Sequence, residues 1–357
     1  MRHAILTTLL CSFAASAVAA ELKVPSALHQ TIASAIAAAA PGDVVVIKPG
    51  TYSETVDISN TVGLSVIGLG KVVIDATGNT NGIVGNNVNF AWLQNLTVRN
   101  STGRGIELTS ANASLLRKLR VENAGDDGIK LASGKAIQLV ECSTKIIAGD
   151  GFDLFAESCL VSKCVARESQ NTGFRIDGNR NRIISCTVDS SLARGLSIGI
   201  DGTSNANSIA NLRVKGQNAT GIALGALADS NSLADVIISS CTQIGCSVGA
   251  GAQGNTFTKV NVTSTVGAGF FVGSDSNVFS SCTANKSQAE GFLSSASANE
   301  NLFVASTAKN CAIGFSLAGD DNTVMRCKAQ KCPNTVTEVG NPSNTYVDNS
   351  FLDPDTF

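Results

Sequence analysis

The stretch Gly125-Asp126-Asp127-Gly128-Ile129-Lys130-Leu131 places two adjacent carboxylates just ahead of a lysine boxed in by apolar residues. Its second half recurs along the chain, as Gly105-Ile-Glu-Leu108, Gly151-Phe-Asp-Leu154, Gly173-Phe-Arg-Ile176, Gly195-Leu-Ser-Ile198 and on to Gly314-Phe-Ser-Leu317. With Gly82-Ile83 counted, eleven glycines return at spacings of 22 to 26 residues. A fixed period of that length marks a solenoid.

Two further columns keep step with the glycines. One runs Leu96, Leu119, Cys142, Cys164, Cys186, Leu212 and on to Cys327. The other, five residues earlier, holds Asn181, Asn207, Asn231, Asn255, Asn277, Asn301 and Asn322 on seven consecutive units. Asparagine tolerates left-handed turns and its amide can bond the unit above, so this column predicts a stacked turn. Each unit is then two or three short strands, and stacking them in parallel register gives an all-β, right-handed parallel β-helix of about eleven turns. Strand alternation sends Ile129 and Leu131 inward and Lys130 outward. The inner file would run Ile83, Ile106, Ile129, Phe152, Phe174 and on to Phe315.

Residues 1–20, with a basic start and an apolar run, predict a secretory signal peptide cut after Ala19 or Ala20, and the mature chain is expected to be secreted or periplasmic without a membrane span. Residues 21–357 then form a single domain. An apolar helix over Leu28–Ala39, stopped by Pro41-Gly42, would cap one end of the rod, and residues 333–357 would wrap the other. Charged residues are only 15% of the chain and no basic block occurs, which gives no support for nucleic acid as a partner. Ten cysteines follow Cys11, but most fall in inward columns and predict buried thiols, with Cys311 and Cys332 the pair best placed to bridge.

The segment from His29 to Ile58, followed by Gly-[Ile/Phe]-x-Leu repeats with an asparagine before the next strand, resembles the right-handed β-helix of the pectin-lyase-like superfamily and its carbohydrate-binding and sugar-hydrolase repeat domain. The resemblance covers nearly the whole mature chain. It implies the fold more sharply than the activity, because the superfamily holds lyases, hydrolases, epimerases and non-catalytic surface proteins. Enzymes of this kind carry their catalytic groups on the outer face of the repeated strand. Here that face reads Glu107, Lys130, Asp153 and Arg175 on four consecutive units, followed by six units without charge.

Acidic-polysaccharide lyases of the superfamily remove the uronate C5 proton with Lys or Arg and neutralise the carboxylate with Ca²⁺ held by acidic side chains. The resemblance implies Lys130 as base with Arg175 and Asp153 beside it, and Asp126, Asp127 and Asp150, together with Asp153, as oxygen ligands for calcium. Arg104, Glu107, Phe155 and Arg180 are the expected substrate contacts. The sequence departs from the related motifs: Asp126-Asp127 and Arg175-Ile176 match parts of the hydrolase set, and Gly151-Phe-Asp153 the centre of the epimerase motif, but Leu154-Phe155 replaces its Pro-His. Two readings follow. One is an exported enzyme acting on an acidic polysaccharide by β-elimination; the other is a non-catalytic glycan-binding or structural β-helix whose alternating charges avoid like-charge contacts between strands. Trp92 is expected in the core, and Phe271 with Leu293 on an outward patch.

Overall fold

The computed structural model describes residues 19–340 and 343–351. All but one of the helix-or-strand elements in this range are strands; they fall into three long parallel sheets of 15, 13 and 14 strands, with Ala111–Asn112 and Gly134–Lys135 pairing as a separate two-stranded sheet. The first sheet runs from Glu21–Val24 to Thr345–Val347, the second from Val56–Asp57 to Asn334–Glu338, and the third from Gly50–Tyr52 to Ser350–Phe351. Each turn of the coil visits them in a fixed order, as in Ile129–Leu131 on the second sheet, Gln138–Val140 on the first and Ser143–Ile147 on the third. At ~4.8 Å per turn, about fourteen turns make a rod roughly 65 Å long.

The repeated glycine has a steric cause. A Cβ on Gly128 would stand 2.6 Å from the carbonyl oxygen of Gly151, and one on Gly105 would stand 2.7 Å from that of Gly128. Every tile closes on the next at a distance only glycine allows. The residue that follows points inward, and Ile83, Ile106, Ile129, Phe152, Phe174, Leu196 and Phe315 are all fully buried. Phenylalanine rings in this file stack at the turn spacing, 4.6 Å for Phe152 on Phe174 and 4.7 Å for Phe270 on Phe292, nearly parallel in both cases.

The asparagines are buried as one column, but they do not hold the left-handed backbone expected of them. That conformation belongs to the residue before each, such as Arg180, Ala206, Ser230 and Ser276 with φ between 55° and 59°. The asparagine instead uses its side chain as an acceptor. The Asn207 N–H donates to Asn231 Oδ1 at 2.9 Å, Asn231 to Asn255 at 2.8 Å, and Asn255 to Asn277 at 2.9 Å. The chain of bonds reaches Asn344, a further member the spacing did not single out. Buried corner N–H groups are thereby satisfied where the strands give out.

Several expectations shift. The first turns and the last lack the glycine tile, which is why the eleven units predicted become about fourteen turns. The helix is Ile32–Ala38, shorter than Leu28–Ala39: Thr31 caps it, the Glu54 carboxylate accepts the N–H groups of Ile32 and Ala33, and Leu28 is 86% exposed. Residues 334–351 add one strand to each sheet, so the coil continues through the segment expected to wrap it. Trp92 is 38% exposed, because Leu93 takes the inward position of its strand, and Phe271 and Leu293 are half-buried side by side. All ten cysteines from Cys142 to Cys332 are buried free thiols, Cys311 and Cys332 included. The expected leader, apart from Ala19 and Ala20, lies outside the described residues, as do residues 352–357. No helix among the described residues is long and apolar enough to cross a membrane.

Candidate functional site

Register brings the four outward charges together. Glu107 pairs with Lys130, Lys130 with Asp153 and Asp153 with Arg175 on adjacent strands of the second sheet. A second file, one residue ahead of the tile glycine, holds Arg104, Asp127 and Asp150. Its carboxylates serve the backbone as the asparagines do elsewhere: Asp127 Oδ1 accepts the Asp150 N–H at 3.0 Å, and Asp150 Oδ1 accepts the Thr172 N–H at 2.8 Å. Their other oxygens face the tile residues.

Lys130 donates to Asp153 and lies 3.4 Å from Asp127 Oδ2. Arg175 is held by Asp177 at 2.6 Å and by Asp201 at 2.5 Å, with Asp150 at 3.7 Å and Asp153 Oδ1 at 3.8 Å. That last distance is too long for a hydrogen bond. Asp153 Oδ1 is therefore buried without a partner, on a side chain with no exposure to solvent. Phe155 lies beside both cations, its ring centre 5.2 Å from Lys130 Nζ and 5.1 Å from the Arg175 guanidinium carbon, within cation–π range.

Burial dominates the acids: it raises Asp150 and pushes Asp153 up to about 6, against the pull of Lys130. Burial also works to lower Lys130, but the carboxylates of Asp153 and Asp127 outweigh it and leave its pKa above the ordinary lysine value. The connected network holds seven carboxylates and three cations, Arg104, Lys130 and Arg175. Four of these carboxylates, Asp127, Asp150, Asp153 and Asp177, are buried.

Asp127, Asp150 and Asp153 can each turn one oxygen to within 4.8 Å of the others, which makes them the acid trio best placed around a hard ion. Asp126, expected among the ligands, is half-exposed and turns instead to Arg104 at 3.2 Å. Glu107 also pairs with Arg104, at 2.7 Å, and accepts from Asn81. It borders a cleft of about 240 Å³ lined by Ser59, Val84, Asn86 and Thr109. Arg180 leaves the cluster: it pairs with Glu157 at 2.7 Å on the next corner. Asp177 and Asp201, which anchor Arg175, were among the flanking charges in the sequence but not in the expected site. Their signal was position alone, two residues past the tile arginine and one turn on.

A family profile described as a right handed beta helix region matches residues 51–177, the part that carries this cluster. No curated protein is similar enough in sequence to count as a relative. Among solved structures, the A-module of mannuronan C-5 epimerase AlgE6 from Azotobacter vinelandii is similar, at 15% identity over 91% of this chain and 95% of the other, with a TM-score of 0.57. The periplasmic alginate epimerase AlgG matches at 10% identity over 88% of this chain and 79% of its own, TM-score 0.53. The catalytic domain of a GH87 α-1,3-glucanase, solved with tetrasaccharides, matches at 12% identity over 91% and 68%, TM-score 0.55. At these identities the likeness is one of fold.

Proposed function

We propose that this chain, a right-handed parallel β-helix of the pectin-lyase-like fold, is an exported enzyme that acts on an acidic, uronate-containing polysaccharide by β-elimination. The observation that carries the reading is the pair of cations, Lys130 and Arg175, drawn against Phe155 above a buried carboxylate. A uronate carboxylate placed against Arg175 has its charge compensated, which acidifies the neighbouring C5–H. The proton passes to Lys130 Nζ once that group is neutral. The released electron pair forms the C4–C5 double bond, and the C4–oxygen bond breaks with the glycosidic oxygen taking up a proton from solvent water. Arg175, clamped by Asp177 and Asp201, orients the carboxylate.

Asp127, Asp150 and Asp153 are the residues that would hold Ca²⁺. The unpartnered Asp153 Oδ1 and the surplus of carboxylates fit such an ion, and with few protein ligands water or substrate oxygens would complete its shell. When bound, it supplies further positive charge toward the uronate carboxylate.

Incubation with alginate, polygalacturonate and glycosaminoglycans, with and without EDTA, tests the proposal through the ultraviolet absorbance of unsaturated products. Calcium binding followed by calorimetry tests the ion separately. Absence of product on every polymer removes the lyase. Inversion at C5 without absorbance, seen by nuclear magnetic resonance, assigns the same proton abstraction to an epimerase instead. One observation favours a non-catalytic glycan-binding role: every cation of the cluster already faces a carboxylate within 4.0 Å, as a purely structural charge ladder would have it.

A further inference from the structure

The formal net charge of -2 conceals a separation of charge between flanks of the rod. The cluster on the second sheet is acidic in sum, whereas the third sheet is basic. On the third sheet Arg167, Arg213, Lys215, Lys309 and Lys328 occupy outward strand positions. Lys163, Lys286, Arg326 and Lys331 stand on the corners at its two edges. All nine are exposed, and among the described residues none has a carboxylate within 4.0 Å. The acids nearby do not cancel them: Glu168 is engaged by Lys145 at 3.6 Å and Asp235 by Lys259 at 4.0 Å, which leaves Asp189, in register between Arg167 and Lys215, and Asp348 on the corner one turn beyond Arg326.

The same flank is cleft. A groove of about 360 Å³ is lined by Asn211, Arg213, Asp235, Lys259 and Asn261, and another of about 400 Å³ lies at the far corner beside Lys286, Gln288 and Asn310. Between the cations stand hydroxyls and amides in outward register, among them Thr187, Thr283, Asn285 and Thr307. The stretch from Lys163 to Lys331 covers eight successive turns, roughly 34 Å at ~4.8 Å each.

We propose that the third sheet from Lys163 to Lys331 is a second binding surface that holds an acidic polysaccharide lengthwise, apart from the charged site on the second sheet. The substrate class rests on the reading of that site, but the surface does not. Cations spaced along a rod match the repeated carboxylates or sulfates of an extended glycan, and the interleaved hydroxyls and amides match its hydroxyl groups. No aromatic side chain stands on this flank between Lys163 and Lys331 among the described residues, so the stacking platform that single-stranded nucleic acid uses is missing. The acidic cluster of a second copy is a poorer partner, since its carboxylates already face its own arginines and lysine.

The test compares the wild type with the Arg213→Gln/Lys215→Gln/Lys309→Gln/Lys328→Gln variant, all four sites being exposed and outside the proposed catalytic cluster. Binding of long alginate and polygalacturonate is measured by calorimetry at about 50 and about 200 mM salt. The expected result is wild-type binding that weakens with salt and roughly tenfold weaker binding by the variant. Equal affinity of the quadruple variant and the wild type, or no binding of either polymer by the wild type, overturns the proposal. So does tighter binding of a single-stranded oligonucleotide, or a self-association seen by sedimentation that the variant abolishes. A protein that binds through this flank but forms no product refutes the catalytic reading alone.

Discussion

At the scale of single residues, four of the carboxylates that hold the charged cluster, Asp127, Asp150, Asp153 and Asp177, are buried, whereas Glu107, Asp126 and Asp201 reach water, and this makes its members energetically unequal. Arg175→Met leaves Asp177 and Asp153 buried without their guanidinium, and a loss of about 3–5 kcal/mol in denaturant unfolding is expected. An exposed pair such as Lys259 with Asp235 should cost well under about 1 kcal/mol when broken. Asp153 adds a pH signature. Its carboxyl is pushed up to about 6 in the folded protein, so as pH rises from about 4 the unfolded chain loses this proton before the folded one does. Stability should therefore fall as pH rises from about 4 to about 6, by at most on the order of 3 kcal/mol from this group, and Asp153→Asn should lack that component of the fall. A melting profile in which wild type and variant run parallel through this range would show that Asp153 ionises normally. For catalysis the sign is opposite: Lys130 is held protonated by Asp127 and Asp153, so kcat/KM should climb toward alkaline pH, and a flat profile would speak against an amine base. The sequence made the file of Glu107, Lys130, Asp153 and Arg175 legible, because register follows directly from the repeat length. It did not show that Asp126 leaves the other acids for Arg104, or that Arg180 turns away to Glu157, because long side chains choose partners around corners whose length varies.

At the scale of elements, the coil depends on two devices that repeat. Asn255→Ala removes the acceptor of the Asn231 N–H and of its side-chain amide, and frees the carbonyl of Ala228. Leaving such groups buried and unpaired should cost about 1–3 kcal/mol each, measured by chemical denaturation. An Asn255→Ala variant as stable as wild type would mean that water reaches the corner. The tile glycines are the second device, and Gly128→Ala should destabilise because its Cβ would meet the Gly151 carbonyl and the Thr144 side chain. Both columns stood out in the sequence, but the role assigned to asparagine did not hold. The left-handed residue precedes it, and at this corner the backbone cost, on the order of 1 kcal/mol, is borne by residues such as Ala206 and Ser230. Trp92 was misplaced for a related reason: without a tile on its strand, nothing in the sequence fixed which parity faces inward.

At the scale of the whole molecule, the rod separates its chemistry by flank and by length. The buried acid cluster occupies the second sheet between Arg104 and Asp201, and the unpaired cations occupy the third sheet from Lys163 onward. Composition conceals this arrangement, since opposite charges nearly cancel over the chain and only the coil sorts them onto different faces. The early turns were hidden for the converse reason, lacking the glycine tile while keeping the same sheets. The central claim, that the Lys130 cluster abstracts a proton from a uronate, is tested most directly by Lys130→Met, which keeps the length of the side chain but carries no group that can take up a proton. The measurement is the rate at which unsaturated uronate appears from alginate or polygalacturonate. The account predicts product from the wild type and none from a folded Lys130→Met protein; product from both at the same rate, or from neither, would contradict it.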